Sequence, residues 1–319
     1  MFHTRGWLRA LQRTYRFQPV ALTESLPGAP LQNAIVFCRV SSWITGKRLV
    51  SLPFSDHCEP LVNSADELAR LASFAATTAS QEQCRYTEIR PTVSVVERPF
   101  LPAATYYLHQ LDLTPGPAAL YAKLHRDCIQ RKIRRSQREK LALEQGNTEK
   151  LLKDFYRLHT QTRLRLGLPP QPLAWFEALS AEVAEHVVIR VAFSQGKAVA
   201  SIVTLEFKDV TVYKYGCSDE QQNRLGGAQV LMWAAIEEAC GKGHAVFDMG
   251  RSDPDQSGLI EYKDRWGAQK KLITYYRHPG DAAQPGHASR PTALAKRAFS
   301  RMPVALAPWA GRLIYRHLA

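Results

Sequence analysis

No stretch of this chain approaches the roughly 20 apolar residues that a membrane-spanning helix needs. The opening residues, Phe2 to Trp7, carry no apolar signal core, so a cytoplasmic protein is the expectation. Cysteine is sparse and scattered: Cys38, Cys58, Cys84, Cys128, Cys217 and Cys240 include no Cys-x-x-Cys pair. That spacing excludes a disulfide framework or a zinc cluster and predicts reduced, mostly buried thiols. His125, His159 and His244 have no metal-ligand spacing, and no metal is expected. Acidic residues are also short, 29 against 42 Lys and Arg, which leaves a net charge of +13. The excess is local. Tyr121–Lys140 holds eight basic residues against two acidic ones, and residues 280–319 hold six against one.

What is present is the composition of a folded protein, 45% apolar and 22% charged. A length of 319 residues has room for two domains or one duplicated fold. The first part reads as a helix over Thr4–Tyr15 and strands over Phe17–Leu22, Asn33–Val40 and Leu49–Pro53. A helix begins at Ser64 with Leu68, Leu71 and Phe74 inward, and strands follow over Cys84–Ile89 and Thr105–Leu111. Pro117–Glu144 reads as one long helix, Glu149–Leu166 as a second, and Leu173, Phe176 and Leu179 open a third. Pro279–Pro291 has the composition of a linker, and a basic tail follows.

From Val187 onward the period is sharper. Val187–Phe193, Ala198–Phe207 and Val210–Gly216 are strands separated by short turns, hence antiparallel. Gly226-Gly227 opens a helix with Ala228, Leu231, Met232, Ala235 and Ala239 on one face, and Gly241-Lys242-Gly243 stops it. His244–Met249 is a buried strand, Ser257 caps a helix carrying Leu259, Tyr262 and Trp266, and Leu272–Tyr276 is the last strand. A strand–helix–strand crossover makes the sheet mixed. The first part repeats this coarse order, which predicts an α/β (α+β) duplicated fold of two mixed-sheet lobes with a helical segment between them. The boundaries expected are 1–112, 113–186, 187–279 and 280–319.

The pair Phe247-Asp248-Met249-Gly250-Arg251-Ser252 and Tyr262-Lys263-Asp264-Arg265-Trp266-Gly267, behind a glycine-opened helix, resembles the FemAB-like branch of the acyl-CoA N-acyltransferase (GNAT) superfamily. The resemblance implies a duplicated GNAT-like fold, acyl transfer to an amine, and acetyl-CoA or another acyl-CoA as co-substrate. Asn223-Arg224-Leu225-Gly226-Gly227-Ala228 stands where such enzymes place a pyrophosphate-binding loop; a glycine turn before a helix start offers close backbone approach and free N–H groups. This loop has Asn223 where the pattern prefers Gln or Arg.

Asp248 at a strand end is either a base for the attacking amine or a partner of Arg251 that holds the loop. Arg251 suits bidentate recognition of a carboxylate or phosphate. By the resemblance Lys263 faces the substrate groove and stabilises a developing negative charge; otherwise it is an exposed helix lysine. Tyr213 and Tyr215 end a central strand as phenols able to protonate a leaving group, or as groove walls, and Tyr262 lies beside the motif lysine. His57 is placed on a loop lining the groove between the lobes, and its neighbour Cys58 would point the other way on an extended chain.

The expected acceptor is an amine on a sugar or peptide of an envelope or exopolysaccharide precursor, because FemAB-like relatives act on such molecules. Two rivals stand beside it: transfer from aminoacyl-tRNA, with the tRNA on the basic helix Arg126–Lys140, and a non-catalytic assembly factor of a polysaccharide system. None of these involves DNA. The tail, with Phe299, Leu306, Trp309, Leu313, Ile314 and Tyr315 among arginines, either docks on the body or lies on a membrane surface.

Overall fold

A computed structural model describes residues 1–93, 98–279, 293–304 and 306–317. The expected linker lies, from residue 280 on, outside the described residues. In chain order the elements are α1 (Arg5–Tyr15), β1 (Gln18–Leu22), β2 (Ile35–Ser42), β3 (Gly46–Val50), α2 (Ala65–Gln81), β4 (Tyr86–Ile89) and β5 (Leu101–Asp112). Then come α3 (Gly116–Lys123), α4 (Arg131–Arg138), β6 (Ala142–Gly146), α5 (Glu149–Arg165), α6 (Leu173–Glu182), β7 (Val187–Ser194), β8 (Lys197–Phe207) and β9 (Val210–Ser218). The remainder is α7 (Gly227–Gly241), β10 (Val246–Ser252), α8 (Ser257–Asp264), β11 (Gln269–His278), α9 (Ala293–Ser300) and α10 (Ala307–Tyr315).

The chain divides into two compact units, and the cuts are not the expected ones. One unit takes Leu108–Lys271 with residues 293–312; the other takes Phe2–Tyr107 with residues 272–279 and 313–317. The helical segment 113–186 is therefore no separate body. Its α5 packs on β7, β8 and β9, and its α4 packs on α7.

In the N-terminal unit β1, β2 and β3 are antiparallel neighbours, and α2 carries the chain to β4, which is parallel to β3. Ser64 caps α2, accepting a hydrogen bond from the Glu67 N–H at 3.2 Å. Leu68 and Leu71 point inward as expected, but Phe74 is 52% exposed. β4 then pairs antiparallel with β11, through Tyr276 opposite Ile89. The strand expected to close the second half thus belongs to the first.

The other unit repeats the order. β6, β7, β8 and β9 are antiparallel, α7 crosses over, and β10 lies parallel to β9 with Asp248 opposite Val212. The next strand is β5. Each crossover strand is therefore followed by the last strand of the other half of the sequence. The core beneath α7 is apolar and dense, built from Leu231, Met232, Ile236, Phe247, Met249 and Trp266.

The long helix expected over Pro117–Glu144 is broken. After α3 the backbone at Leu124 is extended, and a wide turn over Arg126–Gln130 precedes α4. Buried Gln130 stabilises the break: its amide donates to the carbonyls of Tyr121 and Leu124 at 3.1 and 3.0 Å. Lys140 ends α4 with a φ of 52°, and the residues expected to finish the helix form the edge strand β6. Ser257 is the first residue of α8, and its cap position is held by Gln256.

An acidic residue on each crossover strand is tied to the strand beside it. Glu88 on β4 accepts from Arg277 at 2.6 Å and from Arg90 at 2.8 Å. Asp248 on β10 accepts from Gln110 of β5 at 3.2 Å. Burial pushes the Glu88 carboxyl upward, but the Arg90 and Arg277 guanidiniums outweigh it and hold it below the usual range. Glu88→Ala would strand two guanidiniums, and a loss of about 3–5 kcal/mol in chemical denaturation is expected. Because the folded value is the lower one, Glu88 contributes its full stability above about pH 4.3, the unfolded range. That contribution disappears as the pH falls through the folded value, so Glu88→Gln should show a flatter acid limb than the parent.

Candidate active site

The register between β9 and β10 covers Val210–Val212 against Val246–Asp248, where the crossover strand meets its parallel neighbour. Just past it β9 bulges. Val203 and Thr204 of β8 are adjacent, yet they face Tyr215 and Tyr213, so Lys214 is the extra residue. The bulge reverses the alternation of side chains. Tyr213 joins the core on the α7 side, whereas Tyr215 turns to the α5–α6 side. There its hydroxyl accepts from the Trp175 indole N–H at 2.8 Å, among Phe155, His159 and Phe176. Tyr215, expected as a catalytic phenol beside Tyr213, is on the opposite face of the sheet.

A cleft of about 280 Å³ opens on the Tyr213 side. Its floor is β8 and β9, through Ala200, Ile202, Gly216 and Cys217, and the first turn of α7 lies along one wall with Gly227, Ala228 and Gln229. Lys132 of α4 and Arg165 of α5 bring cations to it, and Tyr262 of α8 joins Tyr213. Two glycines make this geometry. Gly226 has a φ of +80°, and a Cβ there would stand 2.2 Å from the Lys132 carbonyl oxygen. Gly216 leaves the space that the Tyr213 hydroxyl fills, since its Cβ would lie 1.8 Å from that oxygen.

The start of α7 has backbone N–H groups to offer an anion. The first N–H groups of a helix lack intrahelical partners, and among the described residues no side chain caps this start. The helix dipole adds about 0.3–1 kcal/mol for an anion, rising to about 2 when partly buried. Burial raises the Tyr213 and Tyr262 phenols, Tyr262 up to about 12, so both are proton donors at neutral pH. The Cys217 thiol is also raised by burial and donates to the carbonyls of Phe155 and Ser201, which makes it a wall, not a nucleophile.

Of the residues expected at the site, the cleft gathers Tyr213, Tyr262, Asn223, Gly227 and Ala228, with Gly226 as the turn that aims the helix. Arg224 is exposed beyond the lining. His57 belongs to the other unit, where its ring meets Phe2, and Cys58 contacts His3 at 3.1 Å. Lys263 does not face a groove. It is buried, and its ammonium donates to the carbonyls of Gly250 and Arg251 at 2.9 and 3.0 Å. Asp248 is buried as well and accepts the Gly250 N–H at 2.7 Å. Lys263 thus ties α8 to the end of β10, and Asp248, Arg251 and Lys263 do not line the cleft. Lys132 and Arg165 were not singled out. Lys132 sat within a basic run, and nothing in the spacing of α5 marks Arg165.

Residues 123–264 match the acetyltransferase (GNAT) domain family. That segment, under half of the chain, is the part similar to a GNAT acetyltransferase domain. Acyl transfer is the class of chemistry of that domain family. Among solved structures it is similar to FemX, with a TM-score of 0.66 at 13% identity over 86% of this chain and 91% of that one. The C-terminal domain of a putative lysylphosphatidylglycerol synthetase from Agrobacterium fabrum has a TM-score of 0.57 at 13% identity, over 91% and 89%. L-PGS from Bacillus licheniformis has a TM-score of 0.52 at 13% identity, over 98% and 91%. At these identities the likeness is one of fold. No curated protein matches the chain.

Two substitutions separate cleft from scaffold. Gly226→Ala must strain a left-handed turn and displace α4, so weaker acyl-CoA binding by calorimetry and a loss of about 1–3 kcal/mol in stability are expected. Lys263→Met removes the ammonium that donates to the Gly250 and Arg251 carbonyls and should lower stability by about 1–3 kcal/mol, read by chemical denaturation.

Proposed function

We propose that the GNAT domain transfers an acyl group from an acyl-CoA to an amine on a sugar or peptide of an envelope or exopolysaccharide precursor. The observation that carries the donor half is the uncapped start of α7 opening into a cleft that also receives Lys132 and Arg165. Backbone N–H groups, a helix dipole and two cations together suit a pyrophosphate. The apolar floor of β8 and β9 suits the thioester arm, which runs toward the bulge. The acceptor half rests on the FemAB-like motifs around Asp248 and Lys263, and on nothing in the cleft itself.

The reaction needs no covalent enzyme intermediate. The amine nitrogen attacks the thioester carbon, a C–N bond forms, the C–S bond breaks, and the thiolate leaves. One amine proton passes to water, and the departing thiolate takes a proton from water while the Tyr213 or Tyr262 hydroxyl donates a hydrogen bond to it. Alignment of amine and thioester supplies much of the acceleration. Proton transfer to a positioned leaving group adds typically about 10²–10⁴-fold.

A second reading has one observation in its favour. Lys132 belongs to α4, which also carries Arg131, Arg134, Arg135 and Arg138. A polyphosphate larger than CoA, such as an aminoacyl-tRNA, would use those cations. Calorimetry with acetyl-CoA, longer acyl-CoAs and charged tRNA distinguishes the two. Acyl-CoA binding is expected, weakened about tenfold or more by Lys132→Ala or Arg165→Ala, as for loss of a charged hydrogen bond. Binding of charged tRNA alone, with a log–log salt slope of roughly −0.7 to −0.9 per phosphate, would establish the second reading. A chain that binds neither is not a transferase of either kind.

A further inference from the structure

Beyond the cleft, the basic tail forms α9 and α10, and two glycine contacts fix how it lies. A Cβ at Gly311 would stand 1.9 Å from the Pro170 carbonyl oxygen, and one at Gly167, where φ is +68°, would stand 2.7 Å from that of Lys296. The tail backbone is therefore seated directly on the loop after α5, and α10 cannot roll without breaking that seat. Ala307, Ala310 and Tyr315 are buried on its inner side.

The outer side is the unusual one. Trp309, Arg312 and Leu313 fall at i, i+3 and i+4 on α10, and Arg316 follows just past its end. Trp309 is 67% exposed and Leu313 44%, and Val304 and Leu306 just before the helix are 53% and 56% exposed. Large apolar side chains usually occupy the inner stripe of a helix that packs on a body. Here small alanines and a glycine pack inward while the tryptophan and leucine face out, flanked by arginines. Lys296, Arg297 and Arg301 add to the charge, and residues 293–317 contain no acidic side chain.

We infer that the outer face of α10 is a peripheral docking surface for an anionic lipid bilayer. Tryptophan and leucine between arginines match the interface of such a bilayer, where aromatic rings sit at headgroup depth and guanidinium groups reach the phosphates. The charge is complementary to anionic lipid and opposed to self-association. A second copy applying the same face would bring arginine against arginine in an isologous contact, within a chain already at +13. This inference is independent of which acyl donor the cleft binds. It gives the tail a task of its own, holding the enzyme where a lipid-attached acceptor would be presented.

The test is co-sedimentation of the full chain with vesicles of phosphatidylcholine alone and of phosphatidylcholine with phosphatidylglycerol, at low and high salt, alongside its oligomeric state in solution. Binding to the anionic vesicles, weakened by salt, is expected. The pair Arg312→Gln and Arg316→Gln should lower partitioning about 30-fold, at about 1 kcal/mol per charge. Trp309→Ala should lower it as well, and because all three side chains are exposed, unchanged thermal unfolding should accompany the loss. Absence of binding to either vesicle at low salt would overturn the inference. So would equal binding to both compositions, wild-type partitioning by the variants, or a stable dimer in solution that Trp309→Ala dissolves.

Discussion

The approach of the Lys132 carbonyl to Gly226 is the constraint on which the rest of the donor cleft depends. Because residue 226 has no Cβ, α4 can lie with its backbone against the turn that begins α7. That contact does three things at once. It aims uncapped N–H groups of α7 into the cleft, it brings Lys132 to the rim, and it closes the α4 side of the core around Ile133, Leu231 and Met232. A side chain at 226 would force α4 outward and disturb all three. Positive potential at this site is therefore a property of backbone placement first and of side-chain charge second.

A second constraint is the pairing of each crossover strand with a strand from the other half of the sequence. Glu88 with Arg277 and Asp248 with Gln110 are the polar tokens of that pairing, at corresponding places in the two units. Their difference is instructive. Glu88 is locked between two guanidiniums, which is scaffold chemistry. Asp248 accepts from the Gln110 amide and the Gly250 N–H.

Much of this was legible in the sequence. The meander of β7, β8 and β9, the glycine-opened α7, the parallel β10 and the duplicated order of elements follow from periods of 2 and 3.6 with turn residues between them. Tyr213, Asn223, Gly227, Ala228 and Tyr262 reach the cleft as their motifs implied. Other expectations failed for identifiable reasons. Tyr215 was placed by counting in twos, and an inserted Lys214 turned it to the other face. Lys263 was placed by its motif, and two carbonyls at the end of β10 captured it. The helix over Pro117–Glu144 was placed by propensity, but Gln130 stabilises a break that no local pattern announces.

By itself the sequence determined the kinds of elements, their order, the family they resemble and the glycines at which backbone must come close. These depend on neighbours a few residues away, and a linear pattern records them. Only the tertiary structure decided that β11 belongs with β4, that Tyr213 and Tyr215 part company, and that Arg165 and Lys132 meet at one rim. Strand partners and bulges are set by contacts between segments tens to hundreds of residues apart. Such contacts are chosen by packing and register across the whole sheet, and no window along the chain contains them.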